Sequence, residues 1–177
     1  MPPHFGVSGV PDSFSRISFA IAIAPAVLLV LTALYLLLRS RMGEEKVYTS
    51  LIVVAVSGVL LVLHLLILRF STTEDAVFDA RMVHLALGVL FLVIGNMLGK
   101  LKPNFWAGIR VPATLNNPLV WHRVHRTGGF LVTGGAVFLL AAALVESGIL
   151  QLLLYIPLAA ALLVTVVILP RYYSRRS

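Results

Sequence analysis

The sequence predicts an all-α, polytopic membrane protein of five transmembrane helices, with its N-terminus outside and its C-terminus cytoplasmic. Three observations lead there. Of 177 residues, 59% are apolar and 12% charged, and the mean hydropathy is +0.99. A soluble domain is about half apolar and about a quarter charged. Five apolar stretches are each close to the length needed to cross about 30 Å of hydrocarbon as a helix. Finally, Lys and Arg concentrate on alternate connections. This balance excludes a water-soluble globule, a disordered tail and a nucleic-acid-binding arm, despite a net charge of +7. The absence of cysteine excludes a disulfide framework, a thiolate-metal site and a cysteine nucleophile.

The spans run 17–38, 50–68, 82–99, 129–145 and 149–169, and the whole chain, 1–177, reads as a single transmembrane domain. Ile17–Leu38 is too long, and lacks the small-residue cleavage site, for a secretory signal, so it reads as a retained helix. Pro25 and Pro157 fall inside spans, where kinks are tolerated. Between the second and third spans, Ser71–Glu74 has the spacing of a capping box, which predicts a short helix leading into the third. The third and fourth spans are the shortest and draw on their flanking turns for length. Ser147–Gly148 is so short a connection that the last two spans form a tight antiparallel hairpin.

Orientation follows from the basic residues. Arg39, Arg41 and Lys46 lie in the first connection, with Lys100, Lys102, Arg110, Arg123 and Arg126 in the third. Arg171, Arg175 and Arg176 lie in the tail. Only Arg16, Arg69 and Arg81 fall on the other side, so the positive-inside rule makes the first group cytoplasmic. Tyr48, Trp106, Trp121, Tyr172 and Tyr173 fall near the same interface, where amphipathic rings settle. Gly88, Gly95 and Gly99 give the third span a small-residue face for close helix packing. Internal packing, with Gly134–Gly135 as the facing surface, is the reading taken; a homodimer face is the alternative.

The connection at 100–128 is the informative part. It holds five basic residues, two histidines, two tryptophans and no acid, and it is too apolar for a disordered linker. Pro103, Gly108, Pro112 and Pro118 divide it into short rigid pieces. Asn117 followed by Pro118 is an N-cap and first-turn pair, which predicts a helix starting there. Trp121, Val124, His125 and Gly128 share one face of that helix, with Arg123 and Arg126 off it. It reads as an interfacial helix leading into the fourth span, with a bend allowed at Gly128–Gly129.

Taken together, Gly95-Asn96, Gly99-Lys100, Pro103-Asn104, Gly108-Ile109-Arg110-x-Pro112-x-Thr114-Leu115, Trp121 and His125-Arg126-x-x-Gly129 closely resemble the signature of the SdpI family. The resemblance covers residues 95–129; beyond it the last two spans match only as an apolar hairpin. Val111 and Ala113 stand where the family often has Thr and Trp, and Val124 where it often has Thr. The resemblance implies a protein of the bacterial cytoplasmic (inner) membrane, without cofactor, involved in immunity to a membrane-attacking toxin peptide. It also implies signalling through a regulator held at the membrane.

Independently of that, Lys100, Lys102, Arg110, Arg123 and Arg126 have no carboxylate nearby to neutralise them, and the Arg fork suits phosphate or carboxylate. The expected ligand-binding set is Asn96, Lys100, Asn104, Trp106, Arg110, Thr114, Trp121, His125 and Arg126. Its ligand would be an anionic lipid headgroup, a toxin peptide or a cytoplasmic regulator. The structural alternative is that Arg110 and His125 pin the loop to backbone groups. A small membrane enzyme or transporter acting on a phosphorylated lipid or small anion is the runner-up. Its apparatus would be thin: Thr114 or Thr127 as nucleophile, His125 as base, and no acid to orient it. His122 and His125 have i, i+3 spacing but no third metal ligand nearby. A metal or proton site from His64, His84 and Asp79 at the outer ends of the second and third spans is also conceivable. The plainer expectation is that His64 bonds a neighbouring helix and His84 reaches towards water.

Overall fold

The computed structural model describes residues 4–5, 11–13, 17–43, 46–72, 80–104 and 106–176. A short antiparallel ribbon, His4–Phe5 against Pro11–Ser13, precedes the helices; the apolar periodicity gave no sign of it. Helices α1 (Ile17–Leu38), α2 (Lys46–Thr72) and α3 (Ala80–Leu98) follow. Then come one turn, α4 (Pro112–Leu115), and the long α5 (Pro118–Ala142). The chain ends in α6 (Gly148–Leu153), α7 (Ile156–Leu163), a π-helical turn (Val164–Ile168) and α8 (Leu169–Ser174). Among the described residues five helical stretches are long and apolar enough to cross a membrane, so the chain is a multi-pass membrane protein. The expected capping box at 71–74 and the expected ligand Asp79 lie outside the described residues or side chains.

The first two helices depart little from expectation. Helix α1 runs through Pro25 unbroken and packs on α2, with no buried residue among those described. Helix α2 is longer at both ends than its apolar stretch, because Thr49, Ser50 and Arg69 continue the helix without being apolar. Ser50 Oγ donates to the Val47 carbonyl one turn back, at 2.7 Å, which satisfies the hydroxyl inside the helix.

Helix α5 is the centre of the bundle. Its Val132 and Leu139 pack with Leu158, and its Val120 and Val124 with Leu169. It runs unbroken through Gly128–Gly129. The two glycines face different neighbours. A Cβ on Gly129 would lie 2.7 Å from the Gly95 carbonyl oxygen of α3, and one on Gly95 would lie 2.8 Å from the Thr133 backbone nitrogen. A Cβ on Gly128 would strike the Thr165 side chain, and one on Gly135 would lie 2.7 Å from Leu158 Cα. Glycine here sets contact distance, which matters in lipid, where packing drives helix association.

The small-residue face of α3 is therefore buried against α5, with Gly88 under Leu140 and Gly99 against Arg126. Its partners are Gly129 and Thr133. Gly134 has nothing within 4 Å of an added Cβ among the described residues, and Gly135 serves α7 instead.

The fifth crossing is helical but broken. Pro157 lacks an N–H, and its ring collides with the carbonyl four residues back in a regular helix; that residue is Leu153, where α6 ends. Pro170 makes the same demand on Val166, which lies in the widened π turn. At the hairpin, Ser147 Oγ accepts from the Leu150 N–H at 3.5 Å and Gln151 Nε2 donates to the Val145 carbonyl at 2.6 Å. Arg81 at the start of α3 meets Glu146 there at 3.3 Å. That contact fixes one end of the bundle; the 99–117 connection and the start of α2 lie at the other, where Tyr48 packs on Leu98, Leu101 and Trp121.

Candidate functional site

The 99–117 connection is an ordered cap over the start of α5, and its residues explain its shape. Asn104 Oδ1 accepts from the N–H groups of Trp106 and Ala107 at 2.7 and 2.8 Å, while its Nδ2 donates to the Lys102 carbonyl at 2.8 Å. This Asx-type turn reverses the chain. Gly108 follows with φ of +117°, a conformation that favours glycine. A Cβ there would also lie 2.5 Å from His125 Nε2 and 3.1 Å from the Trp121 ring. The backbone is thus laid directly on the two rings.

Those rings form the anchor. Trp121 and His125 are fully buried and stacked, centroids 4.1 Å apart and 17° between planes. Trp121 Nε1 donates to the Leu101 carbonyl at 2.8 Å. His125 Nε2 accepts from the Ile109 N–H at 2.8 Å, and Nδ1 lies 2.8 Å from the Trp121 carbonyl. This pairing assigns the proton to Nδ1, since Nε2 faces a donor. Thr114, also buried, donates from Oγ1 to the Ile109 carbonyl at 2.7 Å and accepts from the Val111 N–H at 3.1 Å. Asn117 Oδ1 caps α5 as its sequence predicts, accepting from Leu119 N–H at 2.9 Å and Val120 N–H at 3.3 Å.

Four residues from the expected ligand-binding set, Asn104, Thr114, Trp121 and His125, thus spend their polar atoms holding the cap. Trp121 is not an interfacial ring, because it is sealed inside. Trp106 is half-buried, bonded through its backbone to Asn104, and Arg110 is exposed on the cap. His125 has neither ring nitrogen left for a metal or for a Thr nucleophile, and Thr127 Oγ1 lies 3.1 Å from the Tyr173 hydroxyl. His64 and His84 are both buried, and His84 does not reach towards water: it meets the Tyr155 ring edge-on, centroids 5.5 Å apart. Among the described residues no three His, Asp or Glu side chains gather as metal ligands.

The remaining three residues come together. Asn96 and Lys100, at the end of α3, and Arg126, two turns into α5, line one cavity of about 420 Å³ between the two helices. His122 joins them, one turn before Arg126, and no carboxylate is among the lining residues. Gly95, Gly99 and Gly129 line it where the two helices touch, with Phe130 and Thr133 further along α5. Lys100 Nζ donates to Asn96 Oδ1 at 3.3 Å, which holds the ammonium at the rim. Sequence reasoning had noted His122 only for its spacing from His125. Its i, i+4 spacing from Arg126, facing the i, i+4 pair Asn96 and Lys100, was the signal that would have found it.

A second basic surface lies at the chain's end, where Arg176 sits 4.4 Å from the centroid of the Tyr172 ring and Arg123 5.9 Å from that of Tyr173. The Arg123 contact joins α5 to α8, while that of Arg176 lies within the C-terminal segment itself.

No curated protein and no solved structure matches the chain. A family model does match, over residues 100–171. That match begins five residues later than the 95–129 signature and extends well past it, through α4 and α5 and into α8, so the last two crossings belong to the likeness as more than an apolar hairpin. With the five-helix membrane architecture, it makes this a multi-pass membrane protein whose residues 100–171 are similar to the SdpI/YfhL protein family.

Proposed function

We propose that this SdpI-type protein binds an anionic ligand of phosphate or carboxylate type in the α3–α5 cavity, at the cytoplasmic end of the bundle in a bacterial inner membrane. One observation carries the reading: Lys100, His122 and Arg126 converge on a glycine-floored cavity with no lining carboxylate. Cationic donors left without an internal acid are matched by an external acceptor, and charge-assisted hydrogen bonds are the stronger kind. The cap supports the site by fixing the first turns of α5, and with them His122 and Arg126. The family suggests the biological role, immunity to a membrane-attacking peptide or the signalling tied to it; occupancy of the cavity is what the bundle would report.

The test is calorimetric titration of the full chain in mild detergent with glycerol phosphate. Arg126→Gln removes a charge-assisted contact and is expected to weaken binding about tenfold or more. Arg110→Ala, which lies off the cavity, leaves binding unchanged. Equal losses in both variants would refute the cavity as the site. Expression in a toxin-sensitive host then asks whether Arg126→Gln also removes protection; protection that survives the loss of binding would separate immunity from this site.

A further inference from the structure

A second cavity, of about 560 Å³, lies between α2 and α3, and its lining is wholly apolar. Leu51, Val54 and Gly58 contribute from α2, and Leu85, Val89 and Val93 from α3. Gly58 makes it a groove: a Cβ there has nothing within 4 Å among the described residues. The groove's lining ends at Val93 and that of the basic cavity begins at Gly95, two residues or about 3 Å further along the same helix.

Met82, Leu85, Val89, Val93, Asn96 and Lys100 follow one another at spacings of three and four. They therefore share a face of α3 that is apolar for most of its length and polar at one end. From Asn96 back to Leu85 is eleven residues, about 16 Å, which is close to half the roughly 30 Å hydrocarbon core. This is the geometry of one leaflet, with a headgroup level marked by Lys100 and Arg126.

We propose that this face holds a single anionic phospholipid, its phosphate between Lys100 and Arg126 and one acyl chain in the α2–α3 groove. The inference rests on the anion reading of the α3–α5 cavity and adds the chain to it. Charge selects the occupant. A zwitterionic headgroup would bring its own cation against Lys100 and Arg126.

The experiment is native mass spectrometry of the full chain in mild detergent, titrated separately with phosphatidylglycerol and phosphatidylcholine, with calorimetry against glycerol phosphate alongside. One phosphatidylglycerol per chain is expected, held at least about tenfold more tightly than phosphatidylcholine. Lys100→Gln with Arg126→Gln brings the two lipids level. Gly58→Leu fills the groove while improving helix propensity. It is expected to weaken phosphatidylglycerol binding about tenfold and leave glycerol phosphate binding unchanged. Unchanged phosphatidylglycerol binding in Gly58→Leu, with loss in Arg126→Gln, would overturn the acyl groove and leave the anion site standing. Unchanged binding of both probes in Arg126→Gln would overturn the anion site itself. Equal affinity for the two lipids, or a dimer in place of the lipid adduct, would overturn the phospholipid assignment.

Discussion

Replacing His125 by Phe should release the cap without dismantling the bundle. Phe keeps the stack on Trp121, whose ring lies 4.1 Å away and nearly parallel, but it has no acceptor for the Ile109 N–H, now bonded at 2.8 Å. Leaving a largely buried donor unsatisfied costs about 1–3 kcal/mol. The Trp121 carbonyl loses its side-chain partner as well but remains in the α5 backbone ladder, so little is added there. A central value of about 2 kcal/mol raises the population of the open cap roughly 30-fold. Trypsin reads this directly, because Arg110 lies on the cap, followed by Val111, and cleavage follows the open population when reclosing is fast. Full-length protein in mild detergent should therefore be cut at the cap about 30-fold faster in His125→Phe. Gly134→Ala, a substitution into open space, serves as control. A cleavage rate within about threefold of the parent would refute the view that the Nε2 contact holds the cap, since it corresponds to well under 1 kcal/mol.

Three further outcomes follow from the same geometry. Gly129→Ala should lower stability by about 1–3 kcal/mol, because its Cβ meets the Gly95 carbonyl oxygen at 2.7 Å and neither group can rotate away. Gly134→Ala should be neutral or stabilising by up to about 1 kcal/mol, and equal melting shifts in detergent for the two would overturn the packing argument. Asn117→Ala should cost about 0.5–2 kcal/mol at the start of α5, seen as faster hydrogen exchange at the Leu119 and Val120 amides. Orientation is open to cysteine labelling because the chain contains no cysteine. In intact cells a membrane-impermeant maleimide should label Glu146→Cys and leave Lys102→Cys untouched; the reverse pattern would invert the topology.

Much of the fold was written in local chemistry. Five crossings, the Asn117–Pro118 start of α5 and the buried face Trp121–Val124–His125–Gly128 follow from apolar length, capping and helical period, all of which act within a few residues. What escaped depends on partners far away in the chain. Gly128–Gly129 has the composition of a bend, and only the approach of Gly95 on one side and Thr165 on the other turns it into a double contact. Pro157 was legible as a proline but not as a break, because a membrane helix can either kink around a proline or end before it.

The site divides the same way, and the division says why charge alone misleads. At the cap and the helix face beneath it lie the residues that look most chemical in sequence: Asn104, Trp106, Arg110 and Thr114 on the connection, and Trp121 and His125 on α5. Yet a loop rich in polar groups must satisfy its own backbone first when it is packed against a helix end. His125, Thr114, Trp121 and Asn104 are consumed in doing so. The groups that line the cavity are Asn96 and Lys100 on α3 and His122 and Arg126 on α5, the latter two on a different face of the helix from Trp121 and His125. They face one another only because Gly95, Gly99 and Gly129 let the helices close to backbone contact. The same three glycines that weld α3 to α5 therefore also create the cavity, so a substitution at Gly95 or Gly129 should damage packing and ligand binding together. One at Arg126 should damage binding alone, and that contrast separates a built site from a basic surface that merely obeys topology.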